Sequence, residues 1–304
     1  MSKSAIIGHA GQDGVFLSRR LSGLGDEVVG VGRGDLNLLD ADAVRSFLLR
    51  EKPDSVYYLA AHHHSSQDRE LPQDGDLFRK SFDVHLHGAV SFLDAIALHA
   101  PKTRFFYAAS SHIFGAPLES PQTENTPFQP QNIYAISKCA GVEACRFYRA
   151  KHRVHASSGI LYNHESELRS ERFVSQKIVR GAVAVSKEEI GGIRLGDLDA
   201  RIDWGYAPDY VEAMTMIVAE ESPDDYVVAS GIARTVREFA SAAFSKLGLD
   251  WEKHVTVDTS LVFRGERIAL AGDSEKLRSR TGWFPKTSFD QMIDNMILAA
   301  LHGR

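Results

Sequence analysis

The sequence predicts an α/β fold, a doubly wound parallel sheet of the Rossmann type followed by a smaller C-terminal lobe. Three observations predict it. Short apolar strand patterns alternate with helical patterns through the first half of the chain. Glycines at positions 8, 11 and 14 follow the first strand pattern directly. Tyr134 and Lys138 begin a later helical pattern at a spacing of four, which places both side chains on one helix face.

The bulk composition is that of a globular protein, with 304 residues, 43% hydrophobic and 25% charged. A formal net charge of −5 disfavours a nucleic-acid partner and an anionic membrane surface. No apolar run reaches the length of a membrane span, and a strand pattern begins too early to leave room for a signal peptide. Cys139 and Cys145 lie on one predicted helix, which disfavours a disulfide, so we expect a cytoplasmic protein.

The first unit consists of a strand over 4–7, a glycine-rich turn and a helix that continues through Leu21. Glycines in a G-x-x-G-x-x-G pattern allow a tight turn and let backbone N–H groups approach a pyrophosphate closely. The predicted cofactor contacts in this turn are Gly8, Gly11, Gln12, Asp13 and Gly14. The alternative is a glycine-rich turn without a ligand.

The end of the second strand, over 27–31, bears on the choice of cofactor. An NAD site would have Asp or Glu at this point, whereas the sequence has Gly32 and Arg33 and no carboxylate before Asp35. Because a guanidinium suits a 2′-phosphate, we predict NADP, with NAD as the alternative. Arg33 could also be an ordinary solvated loop residue. Asn37 and Leu38 are predicted to lie near the adenine.

Residues 37–40 are expected to begin a third unit, followed by an amphipathic helix over 42–50 and a fourth strand over 55–61. The small strand end, with Leu59, Ala60 and Ala61, would let a cofactor approach closely. Residues 62–64 are three consecutive histidines, which point apart and disfavour a shared metal ion, so no metal site is predicted. Residues 68–76 read as a loop. Residues 82–99 read as one helix, on which His85 is expected to be structural or interfacial.

The chemistry is expected where the apolar run over 105–109 delivers Ser110, Ser111 and His112 to a strand end, upstream of a helix over 133–152. A lysine ammonium next to a phenol can lower the phenol's pKa from about 10. Tyr134 could then accept a proton from a sugar hydroxyl while hydride leaves the same carbon.

These residues resemble the extended short-chain dehydrogenase/reductase family over essentially the whole chain. The shared features are the glycine turn, 59–61, 109–111 and Tyr134-x-x-x-Lys138. Strings in the second half resemble GDP-mannose 4,6-dehydratases, namely YNHES over 162–166, ERFVSQKI over 171–178, LGDLDA over 195–200, DWGYAPDYVEA over 203–213 and TGWFPKTSF over 281–289.

The resemblance implies roles for individual residues. Ser110 would hold the sugar O4, Tyr134 would be the acid/base, and Lys138 would bind the nicotinamide ribose. Contacts to a nucleotide-sugar, with a GDP-sugar first among the candidates, would come from Ser111, Asn163, Val174, Lys177, Arg201, Arg264 and Glu266. The resemblance also implies a homodimer or homotetramer. We expect residues 1–162 to form the NADP-binding domain and 163–304 mainly the substrate-binding lobe, with 194–216 returning to the first domain.

The main departure from the dehydratases is His112. The family's dehydratases have Glu at this position to take the C5 proton, and imidazole can act as a base near neutral pH. The short loop after the second strand resembles 4-keto-sugar reductases and an epimerase-reductase, which also lack the Glu. A 4,6-dehydratase-like enzyme with His112 as a catalytic residue is therefore the first expectation. A GDP-4-keto-6-deoxy-sugar reductase or epimerase is the second, and a non-catalytic NADP-binding protein is a remote third.

Overall fold

The computed structural model describes residues 2–62, 73–258 and 269–303. Within these ranges the strands are β1 Lys3–Ile7, β2 Glu27–Val31, β3 Ser55–Tyr58, β4 Arg104–Ala108, β5 Ala156–Leu161, β6 Asn163–Glu165, β7 Ile193–Leu195, β8 Arg201–Tyr206, β9 Asp225–Val228, β10 Ala233–Thr235 and β11 Val255–Val257. The α-helices are α1 Gln12–Gly23, α2 Ala41–Glu51, α3 Asp74–Phe82, α4 Gly88–His99, α5 Ile133–His152, α6 Val174–Ser186, α7 Ala207–Ala219, α8 Val236–Ser245, α9 Glu275–Thr281 and α10 Phe289–Leu301.

The predicted Rossmann-type sheet is confirmed. Six parallel strands lie in the order β2-β1-β3-β4-β5-β9. Helices α1 and α7 pack together on one face, and α2, α4 and α5 cover the other. Because the strand order reverses between β1 and β3, the carboxyl ends of these strands border the crevice where such sheets bind ligands.

The strand over 55–58 is the third along the chain, so the prediction of a fourth strand there is wrong. Residues 37–40 form a turn instead of a strand. In this turn the Asp40 carboxylate accepts hydrogen bonds from the N–H groups of Asp42 and Ala43, 3.0 Å each, and caps α2. Because an aspartate at the N-cap stabilises the start of a helix, residues 37–40 lead into α2 and do not form a strand.

The segment over 82–99 is not one regular helix. Helix α3 already begins at Asp74, inside the stretch expected to be a loop, and a π-helical turn over Asp83–His87 separates it from α4. Apolar periodicity could not reveal this turn, because one inserted residue shifts the helix face without breaking the helix.

The C-terminal half contains a second hydrophobic core. Buried side chains of α6, α8 and α10 pack around Trp204 and Phe239. Strands β10, β8 and β6 form a small sheet, and β11 pairs with β7. Residues 194–216 are divided between the two regions, since β8 belongs to the small sheet whereas α7 packs on α1 and on the large sheet.

Helix α5 spans Ile133–His152, as the sequence predicts. The Asn132 side chain caps it by accepting the N–H of Ala135 at 2.9 Å. In the parts of the chain that the structure describes, no helix combines the length and the apolar character needed to cross a membrane.

Candidate active site

The glycine turn between β1 and α1 is built for close contact. Gly8 has φ of +96°, and a Cβ there would lie 2.9 Å from the backbone N of Ala60. A Cβ at Gly14 would lie 2.5 Å from Cα of His9. Gly11 caps α1 without a side-chain hydrogen bond. The first N–H groups of α1 therefore remain available to an anion, which fits a dinucleotide pyrophosphate.

Asp35, the first carboxylate after β2, lies at the end of this strand. Oδ2 of Asp35 accepts the N–H of Gly32 at 2.7 Å. This hydrogen bond places the carboxylate at the end of β2, beside the exposed Arg33. Asn37 is also exposed, and its Oδ1 accepts the N–H of Leu39 at 3.1 Å. Leu38 is half-buried against Gly88.

Ser110, Tyr134 and Lys138 come together at the carboxyl end of β4. The Ser110 side chain lies close enough to the Tyr134 phenol to lower its pKa, and Nζ of Lys138 lies 5.8 Å from the centre of the Tyr134 ring. Lys138 is 1% exposed and donates to the carbonyl of Ala108 at 2.7 Å. Ser111 is buried, 2% exposed.

The expected lowering of the phenol's pKa is wrong for this arrangement. Burial raises the pKa of Tyr134 to about 12, although the Ser110 hydrogen bond and the charge of Arg169 oppose the rise. Burial also lowers the pKa of Lys138 to about 7, opposed by the charge of Asp13. Lys138 is then only about half protonated at pH 7, and its charge does not offset the burial of the phenol, so Tyr134 carries its proton at neutral pH in the protein without cofactor.

His112 lies beside Tyr134, with ring centroids 6.0 Å apart and rings nearly perpendicular. Its backbone N–H donates to Oγ of Ser110 at 3.3 Å. The side chain has exposed surface in the cleft, yet the surrounding protein desolvates the ring and lowers the pKa of His112, and the charge of Arg169 lowers it further. The imidazole is therefore neutral near pH 7.

Two predicted cofactor residues, Gln12 and Asp13, contact the second half of the chain. Both carboxylate oxygens of Asp13 lie 3.0 Å from Nε2 of His164. Gln12 donates to the His164 carbonyl at 3.1 Å and accepts from Ser166 at 2.8 Å. The His164 ring stacks on Tyr210, with centroids 4.7 Å apart. The dinucleotide turn is thus joined to the strand that leads into the lobe.

Arg169 is a site residue that sequence reasoning missed. Its Nε lies 3.2 Å from Oε2 of Glu165, and its guanidinium lies 3.5 Å from the centre of the Phe173 ring. Its charge acts on both His112 and Tyr134. The signal was available, because an imidazole, a carboxylate and a guanidinium occur within six residues, over 164–169.

The predicted sugar-nucleotide contacts lie at the starts of lobe elements. Asn163 begins β6, Val174 begins α6 with Lys177 one turn later, and Arg201 begins β8. Since Asn163 pairs with Trp204, the exposed Arg201 lies three residues, about 10 Å, further along the small sheet.

Some predicted residues lie outside the described part of the chain. These are Arg264 and Glu266, and also His63 and His64 of the histidine run. Over 2–62, 73–258 and 269–303, no cluster of His, Cys, Asp or Glu side chains has an arrangement that could hold a metal ion.

The chain matches the family model described as GDP-mannose 4,6 dehydratase over residues 5–296. A protein of Arabidopsis thaliana, GDP-mannose 4,6 dehydratase 1, is 36% identical over 96% of this chain and 88% of its own length. GDP-mannose 4,6-dehydratase of Vibrio cholerae is 30% identical over 99% of this chain and 94% of its own.

Solved structures show the same fold. RMD from Pseudomonas aeruginosa, determined in complex with NADPH, superposes with a TM-score of 0.87 at 20% identity and covers 100% of both chains. A putative epimerase from Burkholderia cenocepacia J2315 gives a TM-score of 0.88 at 23% identity, covering 99% of this chain and 98% of that one. The matching family model, the curated relatives and the shared fold confirm the resemblance found in the sequence: the chain belongs to the GDP-mannose 4,6-dehydratase family of nucleotide-sugar short-chain dehydrogenases/reductases.

Proposed function

We propose that the protein is an NADP-dependent, GDP-mannose 4,6-dehydratase-like enzyme that transfers hydride at C4 of a nucleotide-linked sugar. One observation supports this above the others. The Ser110 hydroxyl lies close enough to the Tyr134 phenol to lower its pKa, at the carboxyl end of β4, with Lys138 one helical turn further along α5. A donor–acceptor pair of this kind, next to a dinucleotide turn, can hold and deprotonate a sugar hydroxyl.

NADP, when bound, supplies the nicotinamide that takes hydride from the sugar and gives it back. Ser110 would hold O4, and Tyr134 would take the O4 proton as the C4–O4 bond becomes a carbonyl, which the dehydratase product retains. Lys138 would orient the ribose next to Tyr134, and its protonated fraction would lower the cost of ionising the phenol before it takes the O4 proton. The cradle of Gly8, Gly11 and Gly14 holds the pyrophosphate, with NAD as the alternative ligand.

His112 is assigned to the elimination. With C4 oxidised, the C5 proton is acidic, and a neutral imidazole can remove it. Loss of the C5 proton and the C6 hydroxyl releases one water. Bound NADPH would supply the hydride for C6, and the proton taken from O4 balances the one added at C5. The support is the position of His112, whose ring lies 6.0 Å from that of Tyr134.

A second candidate function is favoured by the same residue. His112 stands where the family's dehydratases have Glu, so a 4-keto-sugar reductase or epimerase can be built on Ser110, Tyr134 and Lys138 alone. In that reaction His112 would bind or protonate the sugar, and NADPH would be consumed. A non-catalytic NADP-binding protein is disfavoured by the assembled Ser110–Tyr134 pair.

The candidates differ in cofactor use. Incubation with GDP-mannose and a trace of NADP should yield a GDP-4-keto-6-deoxy sugar without net change in absorbance at 340 nm. A reductase should remain inactive until it receives a 4-keto sugar and then consume one NADPH for each product. Tight NADP binding without either reaction would favour the non-catalytic candidate.

The lobe built around Trp204 is proposed to bind the nucleotide-sugar through Asn163, Val174, Lys177 and Arg201, together with Ser111 of the first domain, and the domain division at residue 162 follows from this role. We further propose a cytoplasmic homodimer or homotetramer. Neighbouring helices α4 and α5 expose Leu98 and Phe147, at 73% and 50%, which self-association would cover. Light scattering with a Phe147→Glu variant tests this, since a monomeric wild-type protein would contradict it.

A further inference from the structure

The π-helical turn over Asp83–His87 is held by two tyrosine hydroxyls from neighbouring strands. Tyr58 of β3 donates to the carbonyl of Val84 at 2.5 Å, and Tyr107 of β4 donates to the carbonyl of His85 at 2.8 Å. Burial raises the pKa of both phenols, so both keep the proton that they donate. A π-helical turn interrupts the regular bonding of a helix, and such turns are frequent at functional sites. Here the turn fixes the backbone of His85.

The imidazole of His85 is fully buried and belongs to a directed chain of hydrogen bonds. The backbone N–H of His62 donates to Nε2 at 2.9 Å, and Nδ1 lies 2.7 Å from Oγ of Ser137. Ser137 in turn donates to the carbonyl of Tyr134 at 2.9 Å. Since a peptide N–H can only donate, Nε2 must accept, so the ring is neutral with its proton on Nδ1.

The two ends of this chain are parts of the site. His62 lies two residues after Ala60, just beyond β3, and Ala60 packs so tightly on the glycine turn that Gly8 has no space for a side chain. Ser137 lies in α5 between Tyr134 and Lys138. The His85 ring also meets the Tyr134 ring edge-on, with centroids 5.1 Å apart.

We propose that His85 is a positioning residue, which sets the place of Tyr134 relative to the β3 strand end that faces the cofactor. The role rests on the proposed function. Hydride and proton leave the same sugar carbon and its oxygen, so the nicotinamide and the phenol must both reach that centre, and an error of about 1 Å can cost on the order of 100-fold in rate. The His85 ring bonds both the His62 backbone, after β3, and Ser137, next to Tyr134 in α5.

Four variants test the proposal. His85→Leu keeps volume and removes both hydrogen bonds. His85→Gln keeps an acceptor that reaches the His62 N–H, and Ser137→Ala cuts the chain at its other end. Thr103→Val is the matched control, because its hydroxyl is equally buried and bonds the carbonyl of Pro53 at 2.7 Å, with no part in this chain of hydrogen bonds.

The readouts are NADPH affinity by fluorescence titration, and kcat and KM with GDP-mannose. We expect His85→Leu to weaken NADPH binding about tenfold and to lower kcat about 100-fold with little change in KM for the sugar. His85→Gln should recover the affinity, Ser137→Ala should lower kcat alone, and Thr103→Val should alter only the thermal midpoint.

The outcomes separate the two proposals. If His85→Leu binds NADPH and turns over like Thr103→Val, the positioning role is overturned. If wild type makes no product from GDP-mannose but the affinity pattern of the Leu and Gln variants holds, the proposed function fails and the positioning role stands. Equal affinity of all variants together with an inactive wild type overturns both.

Discussion

Asp13 and His164 form a part-buried pair, with side chains 22% and 10% exposed, that joins the dinucleotide turn to the strand entering the lobe; Nε2 of His164 lies 3.0 Å from each carboxylate oxygen. Burial alone would raise the pKa of Asp13, but His164 outweighs it and the net shift is downward. Burial alone would lower the pKa of His164, but Asp13 outweighs it and the net shift is upward. Both ring nitrogens of His164 face acceptors, the Tyr162 carbonyl and the Asp13 carboxylate, an arrangement that favours the charged imidazolium.

The pair should stabilise the fold between the two shifted pKa values. Asp13 contributes above its ordinary pKa of about 4 and loses its contribution as pH falls through the lowered value. His164 contributes fully below about 6.5 and loses its contribution as pH rises through the raised value. Asp13→Asn or His164→Gln should each cost about 3–5 kcal/mol of unfolding free energy at pH 6.

A double-mutant cycle by urea unfolding at pH 6 and pH 9.5 measures this coupling, which should be larger at pH 6. The exposed pair Arg237–Asp199, with N–O distance 3.0 Å, is the control and should couple by about 1 kcal/mol or less at both pH values. A coupling that grows at pH 9.5 would contradict a charged His164.

Replacing Tyr134 with Phe should remove the proton carrier and little else. We expect kcat to fall by about 100-fold to 10,000-fold, with KM for the sugar within a few-fold. Tyr148→Phe, on the same helix and bonded to Asp94 instead of to a site residue, should retain wild-type kcat. Stopped-flow measurement of the first hydride transfer compares the two variants. An equal loss of rate in both would mean that the substitutions disturb the helix and that the Tyr134 phenol has no special role.

The ionisation of Tyr134 can be observed directly. Since burial raises the pKa of the phenol to about 12, the absorbance at 295 nm should be the same for the wild type and Tyr134→Phe up to about pH 10. A tyrosinate difference signal near pH 8 in the protein without cofactor would contradict the raised pKa and support the lowered pKa of Tyr134 that the sequence suggested.

His112 should set the acid limb of the pH profile. Desolvation and the charge of Arg169 lower the pKa of His112, so the limb of kcat/KM for dehydration should have a midpoint below the ordinary value of about 6.5. His112→Gln should abolish the acid limb and most of the dehydration rate. His112→Glu should restore elimination, with the midpoint of the acid limb shifted to lower pH. An unchanged limb in His112→Gln would assign it to another group.

Arg33 and Asp35 should have opposite effects on cofactor choice. Arg33→Ala should weaken NADP binding about tenfold, or about 1.4 kcal/mol, and leave NAD unchanged. Asp35→Asn should improve NADP binding, because the carboxylate now on the Gly32 N–H repels a 2′-phosphate. Isothermal titration with both cofactors tests this, and a large loss of NAD affinity in Asp35→Asn, with NADP unimproved, would make NAD the preferred ligand.

The sequence by itself determined the sheet, the glycine turn and helix α5, because their signals are local. Strand and helix periodicity, three glycines at close-packed positions and a spacing of four between Tyr134 and Lys138 need no knowledge of distant contacts. The family could also be recognised from the sequence, because several long segments of the second half resemble those of GDP-mannose 4,6-dehydratases.

The tertiary structure decided what depends on burial and on residues far apart in the chain. Burial, which no spacing encodes, sets the pKa of Tyr134 and Lys138 in the directions opposite to a lysine-activated phenol. The pairing of Asp13 with His164 spans 151 positions. The π-helical turn at His85 required two tyrosine hydroxyls from other strands, and only their meeting inside the core gave that histidine its place beside Tyr134.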